Sequence, residues 1–227
     1  MQIPALQLLP AMTLVCIDAP LRGLHLRCGS NVPGCDIIDA AQLEPLAALC
    51  QLRSLEIRNL TDFGPGLLSA LRGMTALTEL VLAARPCANG AGSCGVFEAV
   101  AEASTRLQEL RVVGHSNTHV ARLPEGMSRL VRLRVLELMD VRVNHTSDVL
   151  KTLTALESLM IMRSRGRSPH EPQPQQNPLP AGMEALRSLR ELRVACDAHP
   201  VPPLALPALE VLQLDEPVFG EQVTFIC

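Results

Sequence analysis

The sequence predicts an α/β solenoid: short parallel strands line one concave face, and helices or turns occupy the convex side. Three observations predict it. Leu130, Leu133, Leu136 and Leu138 fall at steps of three, three and two, and the same word returns as Leu153/Leu156/Leu159/Ile161, Leu186/Leu189/Leu192/Val194 and Leu206/Leu209/Leu212/Leu214. A second phrase, Leu123-Pro124-Glu125-Gly126-Met127, returns as Leu179-Pro180-Ala181-Gly182-Met183. Hydrophobic residues make up 48% of 227 residues, ample for a continuous core along a one-dimensional stack.

Each repeat is indexed by its last strand residue, with apolar partners eight, five and two positions earlier. Ile17 has Leu9, Met12 and Val15; Ile57 has Leu49, Leu52 and Leu55; Leu82 has Met74, Leu77 and Leu80. Val112 has Leu107 and Leu110 but Ser104 at the first position, and Leu138, Ile161, Val194 and Leu214 complete eight repeats. The step of two places both strand leucines on one face. Helical spacing precedes several strands, over Asp36 to Leu49, Val96 to Glu102, Asp148 to Leu153 and Ala181 to Leu189. Neither piece can bury its apolar side alone, so stacking is required.

The remaining segments are punctuation. Leu21/Leu24/Leu26 lies too close to Ile17 for a repeat and is expected as a short strand or turn in the first loop. Gly29 to Gly34, Cys87 to Cys94 and the stretch holding His115 and His119 are expected loops. Arg163 to Pro180, rich in Pro and Gln, is expected to be a disordered insertion within one domain spanning 1–227. Val223 to Ile226 is expected as a last edge strand.

The phrase Leu-Pro-x-Gly-Met followed by Leu-x-x-Leu-x-x-Leu-x-Leu resembles the leucine-rich repeat family over essentially the whole chain. It is most similar to the intracellular type of plant disease-resistance proteins and Ras-group scaffolds. The resemblance implies a horseshoe whose sheet binds other proteins. The chain departs from the family three residues after each index position. Asn or Cys is usual there, whereas these positions hold Pro20, Leu60, Arg85, His115, Val141, Ser164, Asp197 and Pro217. The turns must therefore satisfy their backbone groups in another way, and an irregular horseshoe is expected.

Composition excludes several functions. A net charge of −3 and four Phe as the only aromatics disfavour nucleic acid as a partner. No run approaches the roughly 20 apolar residues of a membrane span. The first twenty residues lack a basic start and are broken by Pro4, Pro10 and Asp18, so a cytoplasmic chain is expected. Cys28/Cys35 and Cys87/Cys94 are each seven apart, too wide for zinc-knuckle pairs, so free thiols are expected and no metal. No phosphate-loop, nucleophile-elbow or metalloprotease motif is present, and neither catalytic residues nor a cofactor are expected. Asn59-Leu60-Thr61 and Asn144-His145-Thr146 match the glycosylation triplet and carry little weight without an export signal.

Function is then expected on the sheet. Positions three and one before the index residue, and one after it, point away from the core. Charges gather toward both ends of the sheet, and the middle is apolar. The candidate partner-binding residues are Arg111, Val113, Val135, Glu137, Met139, Ser158, Met160 and Met162. The expected function is a non-catalytic protein-interaction scaffold with a protein partner. Its alternatives are a recognition segment of a larger signalling, resistance or ubiquitin-ligase protein, and a structural repeat of the cytoskeleton or ciliary axoneme. Ser168, behind Arg163, Arg165 and Arg167, is a candidate phosphorylation site. Thinly covered termini predict end-to-end self-association or a further flanking segment.

Overall fold

A computed structural model describes residues 12–17, 22–28, 40–60, 63–84, 94–145, 149–162, 182–195, 206–215 and 222–226, with side chains over 22–26, 43–60, 63–83, 95–114, 123–139, 149–162, 182–194 and 206–213. The insertion at 163–180, with Ser168, and the cysteine loops through Cys35 and Cys87 lie outside them.

Ten strands form one open sheet in sequence order. Eight are parallel: β2 (Gly23–Cys28), β3 (Ser54–Leu60), β4 (Glu79–Ala84), β5 (Glu109–Arg122), β6 (Val135–His145), β7 (Ser158–Met162), β8 (Glu191–Ala195) and β9 (Val211–Asp215). Each parallel strand needs a crossover, and the convex segments supply it. At the ends, β1 (Met12–Ile17) and β10 (Gln222–Ile226) pair antiparallel with β2 and β9. The architecture is the predicted leucine-rich repeat solenoid.

The leucine steps have a direct physical cause. In every repeat from Leu52 onward the N–H five before the index residue bonds the carbonyl three residues earlier, as in Leu77 to Met74 at 3.4 Å, Leu133 to Leu130 at 2.9 Å and Leu156 to Leu153 at 2.9 Å. These are 3-10 turns, in which side chains three apart eclipse one another. Leu130, Leu133 and Leu136 thus point into the core together, each with 0% exposure. The crossovers expected as helices over 36–49, 148–153 and 181–189 are correspondingly 3-10 segments at Ala40–Ala48, Leu150–Thr152 and Met183–Ala185.

Two crossovers are α-helical. Helix α1 (Pro65–Gly73) starts with Pro at its first position and buries Leu67, Ala70 and Leu71 at helical spacing. Helix α2 (Cys94–Ala103) buries Val96, Phe97 and Val100, and Phe97 is among the largest fully buried side chains. Ser104 replaces the usual leucine at 0% exposure and donates its hydroxyl to the Met74 carbonyl at 3.4 Å, so the buried oxygen is satisfied.

Three expectations are corrected. Ile17 does not index a repeat, because β1 runs antiparallel to its neighbour. The first parallel strand is instead the one around Leu24 and Leu26, which are 0% and 1% exposed and pair with Leu55 and Ile57. Leu26 to Ile57 is 31 residues, which removes the anomalous first spacing. The stretch with His115 and His119 is strand, not loop: β5 continues past a register shift between Val113 and Thr118 and pairs with Val141 to His145. An antiparallel strand lies along each edge of the parallel sheet, and at one of them β10 includes the edge strand expected over 223–226.

The missing asparagines leave a visible trace at one turn. Leu60 is buried at 0%, and Asn59 before it takes φ 63°, the left-handed conformation that Asn tolerates, at the register shift between β3 and β4. Backbone bonds at the strand entrances carry the rest. The carbonyls of Arg22, Arg53, Thr78, Gln108, Arg134, Glu157 and Arg190 each accept two N–H groups from the next repeat, at 2.7–3.0 Å.

The paired glycine phrases diverge locally. Gly126 lies within the 3-10 segment Glu125–Arg129, whereas Gly182 precedes its own at φ 89°. A Cβ on Gly182 would also stand 2.6 Å from Lys151 Cγ. Gly182→Ala is expected to lose about 1–3 kcal/mol from forced left-handed geometry. Gly126→Ala, whose Cβ meets only the Ala101 methyl at 3.3 Å, should lose less, and paired thermal melts compare the two.

Candidate interaction surface on the sheet

The strand register arranges the outward residues in three rows. The first runs Ser54, Glu79, Glu109, Val135, Ser158, Glu191 and Val211. The second runs His25, Glu56, Val81, Arg111, Glu137, Met160, Arg193 and Gln213. The third runs Arg58, Ala83, Val113, Met139 and Met162. All eight candidate residues fall on this face across β5, β6 and β7. Val113, Met139 and Met162 are register neighbours; so are Arg111, Glu137 and Met160, and so are Val135 and Ser158.

The rows correct the sequence expectation of a wholly apolar centre. Only the third row is unbroken, from Ala83 to Met162. Met139 is 38% exposed, and apart from Val131 in a convex turn it is the one large hydrophobic side chain among the described residues that is so open. Glu137 and Arg111 interrupt the second row between Val81 and Met160.

The charged side chains organise themselves strand by strand. At one end His25 Nδ1–H donates to Glu56 at 2.7 Å and Arg58 pairs with the same carboxylate, which is buried at 8% residue exposure. At the other end Arg193 pairs with Glu191, which also accepts from the Ser158 hydroxyl at 3.1 Å. In the centre Arg111 donates to Glu109 at 3.1 Å and stands 3.4 Å from Glu137. The second approach is close enough for Coulomb attraction but off line for a hydrogen bond, leaving Arg111 Nε buried without a hydrogen-bond partner. Glu79 accepts from the Ser54 hydroxyl at 2.9 Å, and among the described residues no arginine pairs with it.

The cross-strand contacts, His25 to Glu56, Ser54 to Glu79, Arg111 to Glu137 and Ser158 to Glu191, could not be found from single strands read alone, whereas the contacts within a strand could. Glu-x-Arg recurs at Glu56/Arg58, Glu109/Arg111 and Glu191/Arg193. That spacing puts both side chains on one face and is the signal available in the sequence.

Other chemistry has little support. Among the described residues no three His, Cys, Asp or Glu side chains are grouped to hold a metal. Cys50 is a free, exposed thiol. Among the described residues no helix is long and apolar enough to cross a membrane.

The chain matches no protein-family profile and no curated protein. It is similar to the crystal structure of an internalin (inlF) from Listeria monocytogenes, at 15% identity and a TM-score of 0.35, over 74% of this chain and 55% of the internalin. It thus spans little more than half of that protein's length. It is also similar to an octameric complex of Latrophilin 3 (Lec, Olf), Unc5D (Ig, Ig2, TSP1) and FLRT2 (LRR), at 15% identity and a TM-score of 0.34, over 82% of this chain and 71% of the matched one. The leucine-rich repeat fold itself stands on the register of β2 to β9 and on the repeated leucines.

Proposed function

We propose that the chain is a non-catalytic interaction module that captures a partner protein on the open face of its sheet. Contact falls over Val113, Val135, Met139, Ser158, Met160 and Met162, with Arg111 and Glu137 setting polarity. The observation that carries this is the unbroken apolar row from Ala83 to Met162, held in register on four strands with Met139 exposed. A contiguous apolar stripe beside ordered charges is what an interface core with a polar rim requires. Methionine side chains adapt their shape to a partner. Finer parts of the proposal are the single domain over 1–227, a cytoplasmic setting, and the plant-resistance and Ras-group type. The last is supported by the twin Leu-Pro-x-Gly-Met phrases, each of which leads into a 3-10 turn.

The test is Met139→Glu with Met160→Glu. Neither side chain lies in the buried cluster, so the melting temperature should stay within a few degrees of the parent. Affinity-purified partners, quantified against the parent protein, should fall at least tenfold, because charges placed at the centre of an apolar contact are desolvated without pairs. Equal recovery with both proteins would discard the sheet face as the binding surface.

A further inference from the structure

We propose that the occupant of this face is a basic amphipathic helix of a partner protein, laid across the strands. Its apolar stripe would cover Ala83, Val113, Met139 and Met162, and its lysines or arginines would lie over Glu79 and Glu137. This deepens the interaction reading above and rests on it.

Two observations select that chemistry. The first is where charge remains after internal pairing. On β3 the Glu56 carboxylate is met by His25 and Arg58, and on β8 Glu191 is met by Arg193. The flanks of the face are thereby neutralised. Between them, in the three rows on β4 to β7, the acids are Glu79, Glu109 and Glu137, and the base among the described side chains is Arg111. Arg111 is shared between Glu109 and Glu137, while Glu79 has a hydroxyl and no cation. Among the described residues of this face the acidic excess therefore lies on the strands that carry the apolar row, with Glu137 adjoining that row and Glu79 one row further out. A partner with acidic residues there would meet like charge, and a basic one would complete the pairing.

The second observation is the spacing of the row. Its side chains sit one per strand, so they repeat at about 4.8 Å perpendicular to the strands. A helix advances about 5.4 Å per turn, so one-face residues near i, i+3 or i+4, i+7 and i+10 or i+11 fall over successive strands. An extended segment repeats its side chains on one face only every 6.6–7 Å or so and drifts out of step. Four strands span about 14 Å, or about ten helical residues. Glu79 and Glu137 are two strands apart on the same side of the row, Glu137 one row from it and Glu79 two, so cations about two helical turns apart would face them, the one over Glu79 reaching further.

The experiment uses the full chain and three synthetic fluorescein-labelled peptides of about 15 residues, enough to exceed the stripe. The first is a leucine-striped helix with lysines along one flank. The second is identical but with glutamates for the lysines, and the third is the lysine peptide with a central proline. Fluorescence anisotropy at low salt is expected to show the lysine peptide binding about tenfold tighter than the glutamate peptide. The proline peptide should bind at least about tenfold more weakly than its parent, because the helix is broken. In Glu79→Gln with Glu137→Gln, isosteric changes that keep the Ser54 bond available, the lysine preference should fall to about twofold or less. In Met139→Glu with Met162→Glu, binding of the lysine peptide should be lost.

The outcomes separate the two claims. If both charge types bind equally and Met139→Glu with Met162→Glu abolishes both, the sheet face is the interface and the basic partner is wrong. If the lysine preference survives Glu79→Gln with Glu137→Gln, the assigned acids are wrong. If the proline peptide binds like its parent, the occupant is not helical. If binding persists in Met139→Glu with Met162→Glu, or no peptide binds the parent protein, the interface reading fails together with the inference.

Discussion

Leu136→Ala is expected to cost about 2–5 kcal/mol of folding stability. Leu136 is 0% exposed on β6 and lies in register between Leu110 of β5 and Leu159 of β7, both also 0% exposed. Removing its branched end takes apolar surface out of two inter-repeat contacts at once and leaves a void that flanking strands can close only in part. In a stack, each repeat is held by its neighbours, so damage at the centre weakens both halves. The internal control is Val131→Ala, five residues away in a turn and 55% exposed, which should change stability by about 0.5 kcal/mol or less. Urea unfolding followed by circular dichroism compares them. Equal midpoints would mean that the leucine register does not form the core.

Gly73→Val is expected to destabilise the protein by about 1–3 kcal/mol through overpacking. At the end of α1, a Cβ on Gly73 would stand 2.5 Å from the Ala47 carbonyl oxygen and 2.9 Å from its Cα and Cβ. Backbone cannot swing aside as a lysine tip can, so α1 would have to separate from the 3-10 segment Ala40–Ala48. Ala70 and Leu71, buried next to this contact, would lose packing with it. Gly23→Val is the matched control, because a Cβ there has nothing within 4 Å. Thermal melts of the pair should differ by several degrees, and an unperturbed Gly73→Val would show that the two crossovers do not touch.

The leucine steps made most of the fold legible, because steps of three and two are the physical signature of a 3-10 turn followed by a strand. Direction was not legible. Met12, Val15 and Ile17 carry the same three-and-two step as the true repeats, and the step of two from Val15 to Ile17 is identical in parallel and antiparallel pairing, so β1 passed for a repeat. The crossovers around Leu153 and Leu186 were expected as α-helix because apolar residues three apart satisfy both geometries; the short span to the next strand leaves room only for the tighter one. His115 to His119 looked like loop because its residues are polar. Its strand pairing resumes at Thr118 and His119, against Val141 and Arg142, partners more than 20 residues away in sequence. On the open face, the apolar row was visible residue by residue. The pairing of Arg111 with Glu109 is visible as Glu-x-Arg, but its second approach, to Glu137, depends on cross-strand register, which no single segment encodes.

The doubly bonded carbonyls at the strand entrances have a consequence for engineering. Glu157 receives its pair of N–H groups from Arg190 and Glu191 after 33 residues of chain, and Arg190 receives its pair from Glu210 and Val211 after 20, yet the distances are 2.8 and 3.0 Å in one case and 2.8 and 2.9 Å in the other. The junction between neighbouring repeats is thus indifferent to the length of chain that joins them. Foreign sequence grafted between Met162 and Gly182 should be charged only the entropy of a larger closed loop, about 0.6 kcal/mol per doubling. The protein is in this sense a rack whose rungs are aligned at the junctions, whatever the length of chain between them.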